Sequence, residues 1–112
     1  KLSQFDPEDQ AFVRLDTATG TWKPGQAEGL SVLPLHEYGP ERIALVKWQP
    51  GTRFQEHAHP GGEEILVLDG VFEDEFGTYE QGTWLRNPPE SHHTPFSRQG
   101  CTIYVKTGHH MP

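Results

Sequence analysis

Glycine and proline interrupt this chain too often for any long regular element to form. Twelve Gly and ten Pro are spread through 112 residues, and no stretch keeps a helical apolar period over a useful length. The pieces between the breaks are short and suit strands: AFVRLD at 11–16, LSVLPLHEYG at 30–39, RIALVKWQPG at 42–51, RFQEHAH at 53–59, EILVLDG at 64–70 and CTIYVKTG at 101–108. Pro34 demotes the second of these to an edge or irregular strand. Asp69-Gly70 closes EILVLDG, and VFEDE with TYEQG reads as a hairpin around Phe76-Gly77. Many short strands with turns at close spacing predict an all-β fold, a small antiparallel barrel or jelly roll. A length of 112 residues suits one core, so 1–112 is read as a single domain.

Charge narrows the partners. The formal net charge is −7 with no cluster of Lys or Arg, which predicts no nucleic-acid partner and no anionic membrane surface. No apolar run approaches the roughly 20 residues of a membrane-spanning helix. Cys101 is the one cysteine, so no disulfide forms within the chain, and a cytoplasmic location is expected.

The residues between 51 and 70 carry the chemistry. His57 and His59 stand one residue apart, so on a strand both rings leave the same face. Pro60, Gly61 and Gly62 allow a sharp reversal that brings Glu63 beside them. A further imidazole must come from elsewhere, from His92 or His93. Imidazoles with a carboxylate suit Zn, Fe, Mn, Ni or Cu, and three imidazoles with one carboxylate leave coordination positions open for a small molecule. The plainer alternative is a polar strand face open to water. Period two then sends Ile65 and Val67 inward with Glu63, and Leu66 and Leu68 outward. Two apolar residues on an outer face need a cover, from the N-terminal strands or a second copy of the chain, and a homodimer is expected.

At this point the sequence resembles the cupins. Their first motif is matched by Gly51, TRFQE, His57-Ala58-His59, PGG, Glu63, EILVLD and Gly70. Their second is matched by Gly82, TWLRN, Pro88 and His93, with Glu90 where the motif has glycine and Ser97 where it has asparagine. The resemblance therefore selects His93 over His92 and implies one metal held by His57, His59, Glu63 and His93. Within the cupins, GGEEILVLDG, FEDEFGTY, GTWLRNP and HTPFSRQGC are similar to the ChrR-like subgroup. In ChrR-type regulators such a domain follows a helical zinc domain that holds a sigma factor. The single cysteine and the chain length leave no room for that domain, so no sigma-factor-binding domain is expected. Small acetylacetone-cleaving cupins are similar in size and in the histidine set.

The function these resemblances imply is a small-molecule metalloenzyme, dioxygenase-like, with Zn or Fe and a diketone or enol as ligand. The alternative is a zinc-binding sensory module that answers to a ligand or an oxidant. No catalytic residue is assigned. Cys101 reads as a small buried residue ahead of an oxidant sensor. Trp84 and Phe96 read as core or pocket wall. Arg53 and Arg86 are candidate anchors for an anion but commoner as surface residues, and Glu64 is expected to point out of the barrel as a solvated or interface carboxylate.

Overall fold

The computed structural model describes residues 7–55, 57, 58 and 60–108, and of residues 57 and 58 the backbone alone. Every regular element among them is a strand. In chain order these are β1 (Lys23–Pro24), β2 (Leu30–Tyr38), β3 (Glu41–Trp48), β4 (Thr52–Arg53), β5 (His57–Ala58), β6 (Glu63–Asp74), β7 (Gly77–Glu80), β8 (Trp84–Asn87), β9 (His92–His93), β10 (Phe96–Ser97) and β11 (Cys101–Thr107). One antiparallel sheet runs β1-β2-β3-β11-β6-β10-β4, with β7 and β8 also paired to β6, while β5 pairs with β9. This is the expected all-β barrel-like architecture.

β6 organises the molecule. Its first half pairs with β11 and β8, and its second half with β7 and β10. The expected stop at Asp69-Gly70 is instead a bend. The register with β11 slips between Thr102 and Ile103, leaving Leu68 as the extra residue. Gly70 then takes φ 74°, a left-handed backbone that glycine enters without steric cost. A β-bulge and a tight turn ask for the same residues, so Asp-Gly here redirects a strand rather than ending it.

Three other boundaries differ from expectation. AFVRLD forms no strand, and its Phe12, Val13 and Leu15 are exposed. The hairpin after β6 pairs Asp74 with Gly77, so its turn is Glu75-Phe76, one residue earlier than read. RFQEHAH is split into β4 and β5 rather than alternating continuously. Pro34 behaves as its chemistry demands. Beside it the β2–β3 register shifts, and β1 covers that side of β2 only at Ser31 and Val32.

The core follows period two. Ile65 and Val67 of β6 lie opposite Val105 and Ile103 of β11, which lie opposite Ala44 and Val46 of β3. Leu30, Trp48, Ile65, Val67, Phe72, Cys101 and Ile103 form one buried cluster. Trp48 meets Phe72 edge to face at 5.5 Å, a favoured aromatic geometry. Each fully buried large side chain here stabilises the fold by about 1.5–3 kcal/mol. On the outer face Leu33 and Leu45 are also buried. The N-terminal segment covers part of that face. Gly20 sits so close to Leu33 that a methyl group there would meet Leu33 Cδ1 at 2.7 Å, and Lys47 Nζ lies 4.1 Å from the centre of the Trp22 ring.

Candidate metal centre and barrel cavity

Glu63 opens β6 and faces inward, paired with Thr107 of β11 on one side and Asn87 of β8 on the other. Asn87 Nδ2 donates to Glu63 Oε1 at 3.0 Å, which fixes the carboxylate. His93 lies on β9, its backbone opposite that of His57 on β5. Both Glu63 and His93 are buried, and His93 Nε2 lies 3.3 Å from Glu63 Oε1. The other ring nitrogen, Nδ1, lies 3.5 Å from Asp74 Oδ2. Asp74 is itself held, since its Oδ1 accepts from Tyr79 Oη at 2.8 Å and from the Phe76 amide at 2.9 Å. Burial, then the bond to Asp74, pushes the Tyr79 hydroxyl up to about 12, so it stays a donor. Burial disfavours a charged His93, yet Glu63 and then Asp74 outweigh it and hold the imidazole above its ordinary value.

This pair fits a bound ion. Two ligand atoms each about 2.1 Å from one metal, at right angles, stand about 3 Å apart. The separation of His93 Nε2 and Glu63 Oε1 is 3.3 Å. A carboxylate behind Nδ1 is the arrangement that turns the opposite nitrogen's lone pair toward a metal. Of the expected set, Glu63 and His93 are brought together. His59 and the side chain of His57 lie outside the described residues. Asp74, Asn87 and Tyr79 were not singled out from sequence. Their roles depend on cross-strand neighbours, and the one local signal was Asn87 on the strand that leads into NPP.

The pair stands at the polar end of a cavity of about 190 Å³ inside the barrel. Leu30, Val46, Ile65, Phe72 and Val105 are among its walls, and among the described residues its ionisable lining is Glu63 and His93. Trp84 does not belong to it, being 57% exposed on the outer face, because it pairs with outward Leu66. Arg53 and Arg86 are exposed, and Arg53 packs over the Phe96 ring at 4.9 Å. Neither arginine reaches the cavity. Cys101 is buried in the core and its thiol is pushed up to about 11 by that burial, so the inert reading holds. Glu64, expected to point out of the barrel as a solvated or interface carboxylate, is not solvated. It is 7% exposed and lies opposite buried Lys106 in the β6–β11 register.

Among the described residues another group of donors converges on the outer face. Asp9, His36 and Glu41 each offer an atom within 4.8 Å of the others. Asp9 Oδ2 and His36 Nε2 are already paired at 2.6 Å, and Glu41 is paired with Lys106 Nζ at 3.4 Å. The first pair ties the N-terminal segment to β2.

A curled antiparallel sheet around a small cavity, with a carboxylate and an imidazole buried at one end, is the architecture of a cupin. Residues 10–111 match the ChrR cupin-like domain, and the chain belongs to that family. It is 38% identical over 63 residues to the anti-sigma-E factor ChrR of Cereibacter sphaeroides, a match covering 55% of this chain and 30% of that protein. The structure of ChrR in complex with SigE from Rhodobacter sphaeroides superposes with a TM-score of 0.71 at 26% identity, over 80% of this chain and 50% of that one. An acetylacetone dioxygenase from Acinetobacter johnsonii shares the fold, with a TM-score of 0.72 at 17% identity over 88% of this chain and 73% of that one.

These relatives correct one expectation. The absence of a sigma-factor connection was read from the chain's length and its single cysteine. The curated relative is an anti-sigma factor, its counterpart was solved with SigE, and this chain spans only 30% of the one and 50% of the other. Length therefore says nothing against a sigma-factor partner.

Proposed function

We propose that the barrel interior is a metal-centred site for a small oxygen-bearing molecule such as a diketone or an enol. His57, His59, Glu63 and His93 hold one divalent transition ion there, Zn or Fe ahead of Mn, Ni or Cu. The observation that carries this reading is the buried Glu63–His93 pair, 3.3 Å apart at one end of a mainly apolar cavity. Bound there, such an ion supplies Lewis-acid polarisation of a ligand oxygen, or redox chemistry if it is iron. The protein's own residues do the rest. Asn87 holds Glu63 Oε1 in place. Asp74 orients His93, and Tyr79 orients Asp74. The apolar walls exclude water from whatever binds.

The test is turnover by metal-loaded protein against a panel of small diketones and enols, with metal content measured in the same sample. Product formation that is lost in Glu63→Ala supports the enzymatic reading. A fully loaded protein that converts none of the panel contradicts it.

A second reading is favoured by the 38% identity to an anti-sigma factor. The same site then acts as a ligand-responsive regulatory module, with a sigma factor as partner of the protein to which this chain belongs. A cavity ligand that changes sigma-factor affinity supports it, and affinity unchanged by any cavity ligand speaks against it. Cys101 is a poor oxidant sensor in either case, being buried with its thiol pushed up.

A further inference from the structure

The strand register makes the cavity long. Leu30 and Trp48, paired across β2 and β3, line one end of it, and Glu63 and Thr107, paired across β6 and β11, line the other. Between these rows lie the Val46–Ile103 and Ile65–Val105 pairs, whose side chains also line it. Trp48 is opposite Cys101, so the end rows are separated by the length of β11 (Cys101–Thr107). That is about 20 Å between backbones. The volume is about 190 Å³, little more than the roughly 150 Å³ of a compact cavity that holds benzene. Strung past four rows of side chains, such a volume is narrow.

The end remote from Glu63 is the mouth. Gln26 is the one exposed residue among the described lining. It sits in the turn over Leu30, where the Gly25 amide donates to the Leu30 carbonyl at 2.8 Å and the Leu30 amide to the Ala27 carbonyl at 3.2 Å. Glu63 and His93, by contrast, are buried. The middle rows are apolar, and no lysine or arginine is among the described lining. A charge drawn along this passage would lose its hydration with no opposite charge to meet it.

We propose that the cavity takes an uncharged, unbranched molecule, its oxygen-bearing head at the Glu63–His93 pair and its alkyl tail running toward the Gln26 mouth. This rests on the metal-centred reading above and narrows its ligand class to straight-chain diketones or enols. Val32 pairs with Val46 and lines the cavity between the two ends. It is then a specificity-determining residue, acting on the tail and not on the head.

The experiment measures dissociation constants by calorimetry on the zinc-loaded full chain, with metal content measured in the same sample. The probes are acetylacetone, 2,4-octanedione and the branched isomer of the latter, 5,5-dimethyl-2,4-hexanedione. Each methylene added to a buried tail strengthens binding about fourfold. 2,4-Octanedione, with three more than acetylacetone, is therefore expected to bind at least about twenty-fold more tightly. Its branched isomer has the same atoms in a wider shape and is expected to bind about ten-fold more weakly than the straight chain. In Val32→Phe the advantage of 2,4-octanedione over acetylacetone disappears while acetylacetone binding is unchanged. Equal affinity for acetylacetone and 2,4-octanedione, or for the two isomers, overturns this inference and leaves the metal-centred reading standing. A folded Val32→Phe that keeps the full advantage of the longer tail also overturns it. Should that variant fail to fold, the wild-type comparison still decides. If fully loaded protein binds none of the three, the metal-centred reading of the ligand fails and this inference fails with it.

Discussion

Glu90 has a backbone φ of 68°, the one non-glycine among the described residues in the left-handed region. It occupies the place where the second cupin motif has glycine, so the departure visible in the sequence is a local strain of about 1 kcal/mol. Glu90→Gly is expected to stabilise the protein by about that amount in urea melts. The other departure is absorbed without strain. Ser97 is fully buried, and its Oγ donates to the Val71 carbonyl at 2.6 Å. Glu73 lies deep in the same region, where the Arg98 guanidinium and backbone amide hold its carboxyl below the usual value of 4.5. The unfolded chain thus takes up this proton first as pH falls. The contribution to stability is complete above the ordinary value and is lost as pH drops through the lowered one. Glu73→Gln should cost about 1–3 kcal/mol at neutral pH and flatten the acid limb of stability below about pH 5. A limb as steep as that of the wild type would show that the Arg98 pair is not responsible.

Among the elements, β6 shows best what sequence could and could not convey. Period two placed Glu63, Ile65 and Val67 on the inner face correctly, because alternation is a local property of the strand. The end of the strand was misread because Gly70 serves a bend rather than a turn. A methyl group on Gly70 would stand 2.2 Å from the Gly100 carbonyl oxygen, too close for any side chain, and its φ of 74° adds strain. Gly70→Ala is therefore expected to destabilise by more than about 2 kcal/mol in thermal or urea melts, and an effect below 0.5 kcal/mol would contradict the bend described here. AFVRLD shows the opposite failure. Its residues suit a strand, yet no neighbour offers it a ladder, and propensity without a partner makes no sheet.

Across the whole molecule, the fold class was legible because turn residues and strand length are properties of short stretches. Three of the four proposed ligands, His57, His59 and Glu63, were read in the same way, from their spacing. The supporting residues were not. Asp74 reaches His93 because β6 runs on past Gly70, and Asn87 reaches Glu63 because β8 pairs beside it. Such contacts follow from register, which a single strand does not announce. The barrel cavity is likewise a product of packing.

The most direct test of the account is the metal content of purified protein, measured by elemental analysis with a dissociation constant for zinc. The wild type is expected to hold one ion per chain. His93→Ala and Glu63→Ala are expected to lose it while remaining folded, and Asp74→Asn to keep the stoichiometry with affinity weaker by about 10–100-fold. A folded His93→Ala/Glu63→Ala double variant that still binds one ion at wild-type affinity would contradict the account.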